Sequence, residues 1–249
     1  MSKPKIILFD IETAPAVAAT FTLYPNNGLH HSNIIEDWYI ITICWKELGK
    51  KQVHSVSTLD DPKRFKKNVA DDYHVVNTFR KVLEGADAVA GHNVSKFDIK
   101  KFNTRLIYHK LPPVPKVHEL DTLKMWKKVA SATSNRLDYL GKFLGFGGKL
   151  PTSDGLWMRA LKGEKSAIQE MVRYCKVDVE KLEKLYLRML PYIPNHPHVG
   201  AMNGLEKERS CPNCGGTKLT QHKTRYTASG MKRIQKQCTS CHAYSTHTK

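Results

Sequence analysis

The chain has 249 residues, 41% of them hydrophobic, and carries 40 Lys and Arg against 23 Asp and Glu, a formal net charge of +17. This length and apolar content suit one packed domain with a small appendage, and the excess of positive charge implies a polyanionic partner, nucleic acid ahead of any other. No run is long enough for a membrane-spanning helix, and Met1-Ser2-Lys3-Pro4 leads into a strand without a leader pattern, so no membrane partner and a cytoplasmic location are expected.

The first predicted strand is the apolar run Ile6, Ile7, Leu8, Phe9, of the kind covered on both faces. It ends in Asp10 and Glu12. Side chains two apart on a strand share a face, so two carboxylates would project together against an apolar sheet, where an unpaired anion is costly. A hard divalent cation would resolve the conflict. For an Asp-x-Glu alone, the plainer reading is that Asp10 caps the strand and Glu12 is solvated. Residues 13–37 are irregular, with Pro15, Pro25 and Gly28; Phe21, Tyr24 and Trp38 are expected to pack over the sheet, ahead of stacking on bases. Residues 39–45 and 52–57 read as two further strands, turning at Leu48-Gly49-Lys50-Lys51, in an antiparallel meander with the first.

Residues 60–72 are basic and polar, either a solvated loop or a phosphate contact. Helical spacing over 75–83 closes at Gly85, and residues 86–90 suit a central parallel strand. A helix follows to about residue 109, with Asp98 in its first turn, where the helix dipole favours an anion, and Phe97, Phe102, Leu106 and Ile107 as its expected buried side. A short strand at 117–120 ends in Asp121-Thr122, helices are expected over 122–129 and 137–144, and residues 150–155 read as loop. From 166 to 189 Ile168, Met171, Cys175, Val179, Leu182, Leu185, Tyr186 and Met189 recur at three and four, which predicts a long helix. Tyr174 and Asp178 share one face of it. Cys44 and Cys175 are expected as buried thiols.

The three carboxylate stretches, Phe9-Asp10-Ile11-Glu12-Thr13, Asn93-Val94-Ser95-Lys96-Phe97-Asp98, and Tyr174 four residues before Asp178, resemble the motifs of the DEDD superfamily of 3′–5′ exonucleases, the DnaQ-like branch of the RNase H-like fold. The resemblance covers about residues 5–190 and is most similar to the proofreading domains of family B polymerases and their stand-alone phage and bacterial relatives. The third motif has two forms, Tyr four before the Asp or His five before it. Arg173 stands at the His position, so this is the Tyr form. Asp121-Thr122-Leu123 and Leu137-Asp138-Tyr139-Leu140 also resemble intervening stretches of the family and are read as scaffold.

The resemblance implies an α/β fold, an RNase H-like mixed β-sheet flanked by helices, over residues 1–190. It implies two Mg²⁺ or Mn²⁺ ions, hard cations for oxygen ligands, on Asp10, Glu12, Asp98 and Asp178. Such a pair, about 4 Å apart, activates water and stabilises the leaving 3′ oxygen. Asp10 would bridge the ions, Glu12 and Asp178 complete the tighter site, and Asp98 the looser one. Tyr174 would hold the attacking water, since a phenol with a pKa of about 10 orients better than it deprotonates. Phe9, Thr13, Asn93 and Lys96 flank the carboxylates, equally as packing residues or as grips on the terminal nucleotides.

Pro191, Pro194, Pro197, Gly200 and Gly204 mark residues 191–207 as a linker resistant to helix and strand. Residues 208–249 then carry Cys211, Cys214, Cys238 and Cys241 as two Cys-x-x-Cys pairs, which resemble a zinc ribbon: two knuckles joined by a hairpin turning at Ser229-Gly230. Four thiolates make a closed structural Zn²⁺ site, preferred to a redox dithiol or an iron–sulfur cluster. Lys218, Lys223, Arg225, Lys232, Arg233 and Lys236, with Tyr226 among them, suit a nucleic-acid surface or a docking face for a polymerase or other replication protein. The expected function is removal of nucleotides from a 3′ end, single-stranded DNA preferred. An exoribonuclease or a non-catalytic nucleic-acid-binding replication accessory protein are the alternatives.

Overall fold

The computed structural model describes residues 4–25, 28–148 and 150–248. Residues 1–3, where the leader pattern was sought, lie outside that set. In chain order the elements are β1 (Ile6–Thr13), β2 (Val17–Ala18), β3 (Ile34–Glu36), β4 (Ile40–Glu47), β5 (His54–Ser57), α1 (Pro62–Lys67), α2 (Tyr73–Glu84), β6 (Ala88–Gly91), α3 (Asp98–Tyr108), β7 (His118–Asp121), α4 (Thr122–Val129), α5 (Leu137–Phe143), α6 (Leu156–Leu161), α7 (Lys165–Met189), α8 (Val199–Met202), β8 (Leu219–Tyr226), β9 (Lys232–Cys238) and β10 (Tyr244–Thr248).

Five strands form one mixed sheet in the order β5-β4-β1-β6-β7. β4 pairs antiparallel with β1 and β5, while β6 runs parallel to β1 and β7. The expected meander and the mixed sheet flanked by helices are both present. β1 sits at the centre because every residue from Ile6 to Phe9 is buried. Its alternation sorts the two layers. Ile6 and Leu8 face Cys175, Val179 and Leu182 of α7, with Trp126 and Leu140. Ile7, Phe9 and Ile11 face Val76, Phe79 and Leu83 of α2 and Phe102 and Leu106 of α3. Phe79 lies at the hub of that second layer, its ring centroid 4.9 Å from Phe9, 5.3 Å from Phe102 and 5.6 Å from Trp45.

Several expectations change here. Residues 60–72 contain the one-and-a-half-turn helix α1 and end at Asp72, which is wholly buried. Asp72 accepts from the Ile40 backbone N–H at 2.8 Å and from Arg105 Nη2 at 2.6 Å and Nε at 2.7 Å, with His109 Nε2 at 2.6 Å. One side chain thereby ties β4, α2 and α3 together. Phe97 and Ile107, expected in the core, are exposed, because Phe97 precedes the first turn of α3 and Ile107 is turned about 100° from Leu106. Phe21 and Tyr24 do not pack on the sheet; Tyr24 is 86% exposed and Phe21 fully so. Trp38 is half-buried, with Lys101 Nζ 3.5 Å from its ring centroid.

The segment 191–207 holds the single turn α8 and is not a loose tether. Leu190, Ile193 and Val199 are buried in the same layer as α7, and Cys214 and Cys241 pack against that layer. Asn213 Nδ2 donates to the carbonyls of Leu190 (2.7 Å) and Ile193 (3.1 Å), in the turn that follows α7. The Tyr186 hydroxyl lies 2.7 Å from His196 Nε2; His196 Nδ1 donates to the Pro197 carbonyl, so Nε2 accepts. A Cβ at Gly200 would stand 2.1 Å from the Ser210 hydroxyl, so glycine permits this close approach. The C-terminal strands form their own sheet, β10-β9-β8, with the turn at Gly230 (φ 79°) as expected and β10 as an unforeseen third strand.

Candidate active site

β1, β6 and β7 run parallel, so their C-terminal ends share one edge of the sheet, where open α/β sheets bind ligands. Asp10 and Glu12 lie there, on the face that packs against α7. The register of β1 against β4 shifts between Glu12 and Thr13, and such bulges re-aim side chains at strand ends. Asp98 opens α3 and is buried, 3% exposed. Burial first, and then the carboxylate of Asp10, push its carboxyl well above the ordinary range, against the backbone N–H groups of Asp98 and Ile11. Two motifs far apart in sequence thus meet.

Helix α7 reaches the same strand end. Cys175, between Tyr174 and Asp178, donates its thiol to the Asp10 carbonyl at 3.4 Å and to Asp10 Oδ2 at 3.6 Å. Burial first, then the neighbouring Cys44 thiol and the charges of Asp10 and Glu12, raise Cys175 well above the usual thiol range, so it stays a donor. Both Cys44 and Cys175 are buried thiols, as expected. Tyr174 is buried, with the Trp157 ring edge-on at 6.2 Å between centroids. Trp157 belongs to α6, over a stretch where the sequence suggested no element. Asp178 is 9% exposed and lies 3.3 Å from Lys181 Nζ one turn on, itself buried. Lys181 was missed; its place on the apolar side of α7, among Val179, Leu182 and Leu185, is the signal that a buried ammonium needs a carboxylate.

Among the flanking residues, Phe9 is buried in the core and packs against Phe79. Thr13 is half-buried, Asn93 is half-buried in the left-handed region at φ 72°, and Lys96 is exposed. Gly91 leads into that turn, and a Cβ on it would stand 2.7 Å from Val94 Cβ. Asp98, raised by burial and then by the half-buried Asp10 beside it, fits a divalent cation, which would relieve their repulsion.

The four cysteines form a second cluster. Their Sγ atoms all lie within 4.8 Å of one another. Backbone N–H groups of Gly216 and Ser240 point at Cys214 Sγ and Cys238 Sγ, both at 3.4 Å. This donor set fits a tetrahedral metal ion held by sulfur.

A family model described as the RNase H superfamily matches residues 39–190. The chain belongs to the RNase H superfamily. The matched span includes Asp98, Tyr174 and Asp178 and leaves Asp10 and Glu12 before it. Nucleases of the RNase H superfamily use divalent metals, and membership supports a nucleic-acid-processing nuclease here. Among solved structures, the fold is similar to the family B DNA polymerase from the hyperthermophilic archaeon Pyrobaculum calidifontis, with a TM-score of 0.57 and 14% identity over 93% of this chain. The chain spans 32% of that polymerase, and at this identity the likeness is one of fold. No curated protein sequence matches the chain. No helix among the described residues is long and apolar enough to cross a membrane.

Proposed function

We propose that this chain is a metal-dependent 3′–5′ exonuclease of the DEDD type, Tyr form, acting on single-stranded DNA. The observation that carries the reading is Asp98, buried beside Asp10 at the end of the central strand. Two carboxyls are held together there at a cost to the fold, an arrangement that a bound cation would relieve. Bound Mg²⁺ or Mn²⁺ would activate the attacking water and stabilise the leaving 3′ oxygen. Asp10, Glu12, Asp98 and Asp178 would hold the ions. Cys175 holds one oxygen of Asp10, and Lys181 one oxygen of Asp178. The Tyr174 hydroxyl would orient the water, its ring fixed by Trp157.

Exposed aromatic rings suit a single strand, whose bases offer faces for stacking. Phe21 and Tyr24 follow the catalytic strand, and Phe97 immediately precedes Asp98. Thr13, Asn93 and Lys96 would grip the last nucleotides. Residues 208–249 would form the ribbon around one structural Zn²⁺, joined by 191–207 to the nuclease unit of 1–190. On the ribbon, Arg225 stands directly across from Arg233 and Tyr226 across from Lys232. Like charges opposed across a hairpin destabilise it, and a polyanion would relieve them.

The test is a 5′-labelled single strand incubated with Mg²⁺ or with chelator, beside an RNA of the same sequence. A ladder that shortens one nucleotide at a time from the 3′ end, lost with chelator or with a blocked 3′ end, is the expected result. Internal cuts, or shortening from the 5′ end, would contradict it. A faster RNA ladder would move the substrate to RNA.

A further inference from the structure

Asp121 is buried, and its carboxylate gathers three pieces of chain. Oδ1 accepts the backbone N–H of Leu123 at 3.1 Å and of Lys124 at 3.2 Å, capping α4. The same oxygen accepts the N–H of Asn93 at 3.1 Å, and Oδ2 accepts that of Ser95 at 3.3 Å. A helix cap needs only the first two. The other two reach back to the turn between β6 and α3. Thr122 adds a hydroxyl donated to the Gly91 carbonyl at 3.1 Å and lies 3.0 Å from His92 Nδ1.

The turn depends on this hold. Asn93 is in the left-handed region, costly for a residue with a Cβ. Its carbonyl is already taken by the N–H groups of Lys96 and Phe97, at 3.1 and 3.0 Å. The Asn93 and Ser95 donors therefore need an acceptor from elsewhere in the chain. The anion also has a cost, since its charge adds to the load on Asp98. Asn or Ser would cap α4 about as well without that charge. What the carboxylate adds is stronger, charge-assisted bonds to two further N–H groups. Its hydrogen bonds, three on Oδ1 and one on Oδ2, all go to backbone, with the Lys124 ammonium 4.0 Å from Oδ2.

We propose that Asp121 is a positioning residue of the active site: it fixes the turn of Asn93 to Lys96, and so the placing of those two side chains on the terminal nucleotides, without touching substrate. The kinetic part rests on the exonuclease reading; the geometric part does not.

Two variants and two readouts test it. Asp121→Ser keeps the α4 cap but cannot span to both Asn93 and Ser95. Asp121→Asn keeps Oδ1 and sets an amide against the Ser95 N–H. Amide hydrogen exchange should quicken about tenfold at Asn93 and Ser95 in Asp121→Ser, and at Ser95 alone in Asp121→Asn, with α4 still protected. On a short single strand, KM should rise about tenfold while kcat changes less than about threefold, the sign of lost substrate grip rather than lost chemistry. Loss of protection in α4 with the turn unchanged would make Asp121 a plain helix cap and overturn the proposal. A fall in kcat at unchanged KM would overturn it too, placing the effect on the carboxylates. If the wild-type protein degrades no strand, the exonuclease reading fails, and the exchange result alone decides for or against Asp121.

Discussion

Asp72 and Asp98 are both buried, and their carboxyls move in opposite directions. Burial raises both. At Asp72 the hydrogen bonds from His109 and Arg105, with the charge of Arg105 and the Ile40 N–H, overcome it and hold the carboxyl below its ordinary range. At Asp98 the neighbour is Asp10, and the shift goes up. The first is a structural pair complete within the protein; the second calls for a cation. Asp72→Asn should therefore cost about 3–5 kcal/mol at neutral pH, because it leaves the Arg105 charge buried without its partner. A lowered folded pKa stabilises above the unfolded value, and that contribution is lost as pH falls through the folded one. The wild-type advantage should stay level from neutral pH to about pH 4 and shrink below it. Urea denaturation of both proteins at several pH values measures this; equal stabilities at pH 7 would count against it. None of this was legible in the sequence. Asp72 and Arg105 are 33 residues apart and sit in polar stretches, with no periodicity to mark them as buried.

At the scale of elements, the strands and the long helix could be read directly. Ile6 to Phe9 is an unbroken apolar run, and α7 repeats at three and four over 25 residues. Short elements escaped. α6 has six residues between Gly155 and Gly163, too few for a period to show. α8 lies among prolines that read as linker, and the face it buries is set by Ser210, Pro212 and Gly215, which arrive later in the chain. The docking predicts that the cysteine cluster and the end of α7 are coupled. The wild-type protein should hold one zinc per chain. Cys238→Ser should lose it, because a small sheet of this kind folds with its metal. The Leu190 and Ile193 carbonyls should then lose their Asn213 cap, and hydrogen exchange should quicken at the C-terminal turn of α7. A variant that loses zinc with that turn unchanged would show the two to be independent.

For the whole molecule, the charge of +17 is the largest single clue to a partner, and it is uneven. Residues 13–35 carry no Asp, Glu, Lys or Arg, yet expose Phe21, Leu23, Tyr24 and Ile35. The β8–β9 hairpin exposes Lys223, Arg225, Lys232 and Arg233. On the proposed function, the exposed rings would stack on bases and the basic hairpin would hold phosphates. Neutralising the four hairpin charges should flatten the slope of log affinity against log salt by up to about 3, since each phosphate contact on a single strand contributes about 0.7. It should leave the rate on a short oligonucleotide near wild type. An unchanged slope would turn the ribbon into a protein-docking surface.

The central claim, that the carboxylates at the end of β1 hold catalytic cations, is tested most directly by Asp10→Ala. The rate of nucleotide release in Mg²⁺ is measured beside a thermal melt. Losing several kcal/mol of charge stabilisation should slow release by ~10³-fold or more. The melting temperature should hold or rise, because Asp98 no longer faces a like charge. A folded Asp10→Ala protein that releases nucleotides at near the wild-type rate would contradict the account.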